Sequence, residues 1–284
     1  ASSGRLPRLV DKPAGVTSHD VVAMVRRSLG QSRVGHAGTL DPFATGLLVL
    51  LVGRGTRLIP YLDAEPKVYQ ATIRFGAETD TDDVTGRVVR EVPPPADLAV
   101  DEALATMVGE LQQRPPAYSA KQVGGVRAYA SARRGRPLDL APVPVRVHAW
   151  TVHERRGADL DVTVACGGGT YVRALARDLG RATGSAAHLV SLRRTRAGRF
   201  DVGAASTLAH LCQGEMLLHP LREAVAHLPA QPLSVDEARL ASHGRSVPAR
   251  LPGDIAALVE GDVLVAVGVR HDDVWQPRVV VRDA

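Results

Sequence analysis

The segment Gly35-His36-Ala37-Gly38-Thr39-Leu40-Asp41-Pro42-Phe43-Ala44-Thr45-Gly46 brings a carboxylate and an imidazole together among three glycines. An ionised carboxylate can attack carbon as a nucleophile or remove a proton as a base, and neither role demands a metal or a redox group. Pro42 lacks a backbone donor and pushes Asp41 out of helical geometry. The simplest competing use for Asp41 is an Asp-Pro turn, with the carboxylate capping its own backbone. The apolar run Leu47-Leu48-Val49-Leu50-Leu51-Val52 follows at once and reads as a fully buried strand. A carboxylate at the mouth of such a strand is well placed for chemistry.

Three further side chains join Asp41 and His36 as candidates. Tyr69 lies on a strictly alternating segment, 67–75, with Ala71, Ile73 and Phe75 on its face. A core aromatic would occupy the same position. Tyr171 and Arg173 open a helix after Gly167-Gly168-Gly169-Thr170, where a helix-surface charge is the plain alternative for Arg173. Other motifs fail. Asp80-x-Asp82-Asp83 begins like a calcium loop, but Val84 stands at the fifth position, where an oxygen ligand is needed. The glycine turn lacks the lysine of a phosphate loop, and no His-Glu-x-x-His or Gly-x-Ser-x-Gly pattern occurs. Cys166 and Cys212 stand too far apart for a thiolate zinc site or a disulfide framework. No metal and no cofactor are expected.

The elements that must position these residues follow from periodicity. Residues 6–10 read as a strand, and a helix runs from Ser18 to Gly30 through Val21, Val22, Val25 and Leu29. Strands are expected near 47–52, 67–75, 87–92, 159–166 and 188–196. Helices are expected over 101–111, around 127–134, and from Thr170 to a stop at Gly180. Residues 93–145 read as an excursion from the sheet. Near Pro229–Pro232 the texture changes. Ser234-Val235-Asp236-Glu237 has capping-box spacing, and 263–269 and 279–281 form a small β-rich tail.

The net charge of +5 is unevenly spread. From Leu111 to Leu138 the chain carries Arg114, Lys121, Arg127, Arg133, Arg134 and Arg136 without an acid. From Leu179 to Phe200 it carries Arg181, Arg193, Arg194, Arg196 and Arg199, again without one. A bias toward arginine explains the scarcity of lysine but not the missing acids. Such segments suit a polyanion. The longest apolar run is too short to cross a bilayer, and the first residues show no signal-peptide core. A cytoplasmic protein without membrane contact is expected.

Taken in order, these motifs resemble the TruB family of tRNA pseudouridine synthases. The resemblance rests on Val10-Asp11-Lys12-Pro13 with Gly15-Val16-Thr17-Ser18-His19-Asp20, then on 35–42, Lys67-Val68-Tyr69 and Thr79-Asp80-Thr81-Asp82-Asp83 with Gly86. Arg114-Pro115-Pro116-Ala117-Tyr118-Ser119-Ala120, Gly169-Thr170-Tyr171-Val172-Arg173 and Leu192-Arg193-Arg194 complete it, over roughly residues 8–200. One departure is visible, because Lys121-Gln122 puts the lysine one position earlier than the family pattern.

The resemblance implies isomerisation of the T-loop uridine at tRNA position 55 to pseudouridine, by base flipping, aspartate-initiated glycosidic cleavage and C1′–C5 rejoining. It implies Asp41, Tyr69 and Arg173 as catalytic residues, with Arg173 pairing Asp41. Whether Asp41 acts as nucleophile or as base on the sugar stays open. His36, Tyr69, Tyr171 and Leu192 would bind the nucleotide. Lys121, Arg127, Arg133, Arg134, Arg136, Arg193 and Arg194 would grip the RNA backbone. The implied fold is α/β of the α+β kind: a mixed, largely antiparallel sheet with flanking helices and a thumb-like insertion at about 93–145, forming a catalytic domain over 5–228. A small β-rich, PUA-like RNA-binding domain over 229–284 would follow. The expected partner is the tRNA T-arm, bound by a monomer. The alternatives are a guide-RNA-dependent enzyme acting on ribosomal RNA and a tRNA-binding or tRNA-folding module without turnover.

Overall fold

The computed structural model describes residues 7–62, 64–119, 122–123, 126–127, 140–212 and 219–282, with backbone alone at 122–123, 126–127 and 212. The fold is mixed α/β, built on largely antiparallel sheet with few helices. The chain divides into two compact units, interleaved in sequence: Ala1–Pro42, Gly46–Ala64 and Gly198–Ala284 in one, Phe43–Thr45 and Glu65–Ala197 in the other.

In the first unit, strand Arg8–Lys12 pairs antiparallel with Thr45–Val52 and parallel with Ser206–Thr207. The Thr45–Val52 strand also pairs antiparallel with Val34–Ala37. Its continuous apolar run is explained by burial on both faces. Leu48, Leu50 and Val52 pack with Val21, Val22 and Val25 of helix Ser18–Leu29, while Leu51 joins Leu58, Val259, Val267 and Val279 in a second cluster. The helix begins at a Thr17–Asp20 capping box and closes at Gly30, as its sequence requires. The tail is a five-stranded sheet in the order Ala230–Pro232, Ile255–Glu260, Val263–His271, Val274–Val280, Val247–Pro248. The Ser234–Glu237 capping box opens its helix, Val235–Ser242.

In the second unit, five antiparallel strands run in the order Ala187–Ala197, Lys67–Phe75, Asp159–Cys166, Val143–Arg156, Gly109–Gln113. The alternation read over 67–75 is realised, with Tyr69, Ala71, Ile73 and Phe75 buried. Two expectations fail. The helix expected over 101–111 is Asp97–Thr106, because residues 109–113 pair with Val143–Val147 instead. The excursion expected over 93–145 is therefore interrupted by strand Gly109–Gln113, which returns to the edge of the sheet. The helix expected to stop at Gly180 runs Val172–Ala182. Gly180 permits close approach, since a Cβ there would stand 2.4 Å from the Ala187 backbone nitrogen. Lys121, Arg133, Arg134, Arg136, the Arg127 side chain and most of the helix expected at 127–134 lie outside the described residues. Among the described residues no helix is long and apolar enough to cross a membrane.

Candidate active site

Asp41 sits in the loop joining strands Val34–Ala37 and Thr45–Val52, and His36 lies on the first of them opposite Leu50. Both side chains are half-buried. Gly38 and Gly46 take φ of 83° and 101°, a region L side chains avoid, and so let the loop turn sharply. The backbone is pinned on either side of Asp41. Ser18, itself buried, accepts from the Leu40 N–H at 2.9 Å and donates to the Leu40 carbonyl at 3.2 Å. The Pro42 carbonyl accepts from the Gly15 N–H at 2.8 Å and from Lys12 Nζ at 3.3 Å. Lys12 is wholly buried and also donates to the Pro13 and Val16 carbonyls, at 2.9 and 2.7 Å. Such charge-assisted bonds are the strong ones. The Lys12–Ser18 motif, for which no role was expected, thus fixes the chain around Asp41.

The second unit carries the remaining candidates. Tyr69 is 6% exposed, directly opposite Val164 and Arg194, and Leu192, 7% exposed, stands opposite Ala71 on the same face. Arg194, expected at an RNA backbone, is turned by strand alternation to the Tyr69 face, where it is 1% exposed. Arg193 and the exposed Arg196 belong to the more open positions of that strand. Lys67 is pushed below the ordinary lysine range by burial and by the Arg194 guanidinium.

Tyr171 caps helix Val172–Ala182, and a residue not foreseen, Gln113, holds its backbone. Gln113 Oε1 accepts from the Tyr171 N–H at 2.8 Å, and Nε2 donates to the Tyr171 carbonyl at 3.1 Å. Arg173 is 4% exposed rather than a surface charge. It donates to the Thr81 carbonyl at 2.8 Å and the Tyr118 carbonyl at 3.0 Å, with Nε 3.7 Å from Asp83 Oδ2. The acidic turn that failed as a calcium loop therefore serves as an arginine acceptor. Asp83 is in turn fixed by Thr81 Oγ1 at 2.8 Å and by the Thr85 N–H at 2.9 Å. One helical turn after Arg173, Arg177 pairs Asp82 at 2.8 Å. Arg181 then takes both oxygens of Glu78, at 3.0 and 2.7 Å. Burial alone would raise Glu78, but Arg181 and Arg90 outweigh it and hold that carboxyl below its ordinary range.

A cavity of about 210 Å³ opens beside this network, lined by Glu78, Asp82, Arg114, Leu140 and Arg177 among others. Among the described residues, no group of three or more His, Cys, Asp or Glu side chains could hold a metal ion.

Residues 26–172 match the family model of the TruB family pseudouridylate synthase N-terminal domain, and 173–226 that of the tRNA pseudouridylate synthase B C-terminal domain. The chain is similar to proteins named tRNA pseudouridine synthase B. One, from Arthrobacter sp., is 48% identical over 85% of this chain and 81% of the relative. Another, from Thermobifida fusca, is 45% identical over 96% and 97%. Among solved structures, a Cbf5-Nop10-Gar1 complex matches with TM-score 0.75 at 26% identity, covering 99% of this chain and 86% of that one.

Proposed function

This chain belongs to the TruB family of pseudouridylate synthases, and we propose that it isomerises uridine to pseudouridine in tRNA, with the T-loop uridine at position 55 as target. The observation that carries the reading is Asp41 itself, set in the family-matched segment on a loop whose backbone is fastened on both sides.

The reaction breaks C1′–N1, turns the uracil and joins C1′ to C5, whose hydrogen leaves as a proton. We assign Asp41 to the sugar, either attacking C1′ or removing a sugar proton. Tyr69 is assigned to stacking on the uracil and to the final proton removal, Tyr171 and Leu192 to lining the base, and His36 to displacing the target nucleotide. Arg173 is assigned to balancing carboxylate charge. Unstacking the base costs a few kcal/mol, which base–aromatic stacking of about 1–3 kcal/mol offsets in part.

Residues 5–228 form the catalytic domain in this reading, and 229–284 the PUA-like domain. That tail holds six arginines against eight acids, so the grip on phosphates falls to the catalytic domain. Arg193, Lys121, Arg127, Arg133, Arg134 and Arg136 are the backbone contacts proposed there. The T-arm is bound by a monomer in the cytoplasm.

The guide-dependent alternative draws on the structural neighbours, but those are 25–26% identical against 45–48% for the tRNA enzymes. An unmodified tRNA transcript, incubated without guide RNA, separates the two. Pseudouridine mapped at position 55 supports the proposal; none there, or conversion only with added guide, rejects it.

A further inference from the structure

Helix Val172–Ala182 carries Arg173, Arg177 and Arg181 at intervals of four, which places them on one helical face. Their partners run backward along the facing segment: Asp83, then Asp82, then Glu78. The middle rung is built unlike a surface ion pair, with side chains 8% and 10% exposed at 2.8 Å. Arg177 uses the rest of its guanidinium as well. Nη2 donates to the Arg114 carbonyl at 2.8 Å, and Nε to Asp178 Oδ1 at 2.9 Å.

Two consequences follow from the chain positions of those acceptors. Asp82 immediately precedes Asp83, which faces Arg173. Arg114 lies four residues before Tyr118, whose carbonyl also receives Arg173. Asp82 sits at φ 61°, a left-handed conformation that aspartate tolerates better than most residues, and its carbonyl accepts from the Leu189 N–H at 3.1 Å. Both segments that receive Arg173 are thus tied to Arg177, one turn along the same helix.

We propose that Arg177, acting with Asp82, is a positioning residue for the isomerisation, fixing the Asp83 turn and the 114–118 segment so that Arg173 is presented in one place. The proposal rests on the reading of Arg173 as part of the uridine site. It differs from a purely stabilising role in a testable way. A buried ion pair whose two charges are removed together leaves no buried charge unpaired. Stability alone would then leave the rate of each folded molecule unchanged.

The experiment uses the full chain and a T-arm transcript at saturating concentration. The double variant Asp82→Asn/Arg177→Met, whose asparagine keeps the left-handed turn, and the single variant Arg177→Lys are compared by single-turnover rate, RNA affinity and folded fraction. Displacing a catalytic group by about 1 Å costs on the order of 100-fold, so the double variant should lose about 10- to 100-fold in rate with RNA affinity unchanged. Lysine keeps the charge opposite Asp82 but not the planar fork that also reaches the Arg114 carbonyl, so a loss of about 3- to 10-fold is expected. A folded double variant with wild-type rate overturns the proposal. Should that variant not fold, Arg177→Lys decides alone, and a wild-type rate overturns it. An inactive wild type would instead sink the function, and an undiminished Arg173→Lys the role of Arg173.

Discussion

The loop around Asp41 and the turn around Asp82 are both irregular segments next to strands, and both are fastened by buried cations. In the first, Lys12 sends its ammonium to the carbonyls of Pro13, Val16 and Pro42, and Ser18 holds Leu40. These fastenings run through the backbone, and the Asp41 side chain keeps partial exposure. In the second, arginines take the carboxylates themselves, and Asp82 and Asp83 are 7% and 4% exposed. A loop rich in aspartate is therefore not by itself a reactive one. In one segment buried groups hold the backbone on either side of the acid, and in the other arginines hold the acids directly.

The largest effect expected on this contrast comes from Arg177→Met. It leaves Asp82 buried without its ion-pair partner, at a cost of about 3–5 kcal/mol in denaturant unfolding. A cost below about 1 kcal/mol would mean that the turn does not depend on its arginines. Lys12→Met should cost about 1–3 kcal/mol, because buried carbonyls lose a charged donor, and should also slow turnover by loosening the Asp41 loop. An unchanged rate after that substitution would break the parallel between the two segments.

A pH titration sharpens it further. Burial, the leading cause, pushes Asp82 up to about 6 despite the pull of Arg177 and Arg173. A carboxyl raised above its unfolded value holds its proton more tightly when folded, so its penalty is present above about 6 and relieved as pH falls through that value. Glu237 is the opposite case, drawn down to about 2 by Arg250 and then by the Ser234 N–H. Its contribution is present above its ordinary value of 4.5 and is lost as pH falls toward 2. Asp82→Asn should remove a falling slope of stability between about 4 and 6, and Glu237→Gln a rising one below about 4.5. Equal slopes in both variants and wild type would refute these environments. The smallest effect expected is that of Ser234→Ala, about 1 kcal/mol from the lost helix cap, with isomerisation untouched.

Local pattern carried much of the fold. The 67–75 and 159–166 strands appear at the residues their alternation marks, and the Ser234–Glu237 capping box forms as spelled. What failed was non-local. Leu111 has a helical spacing to Leu104, yet its segment is claimed by a strand some thirty residues later. The partners of the acidic turn lie 95 positions away for Asp82–Arg177, beyond any spacing rule. Two signals were nevertheless available. Arginines at 173, 177 and 181, four apart on one helical face, call for acids on the segment packed against that face. Leu192 and Arg194 stand two apart on one strand, so burying the first implies burying the second.

The account turns on the carboxylate of Asp41, and the most direct test is the single-turnover conversion of a T-arm transcript by Asp41→Asn, with RNA binding measured on the same preparation. Asparagine keeps the shape but not the charge, so the variant should bind RNA as the wild type does while forming no measurable pseudouridine. Conversion at or near the wild-type rate would contradict the account.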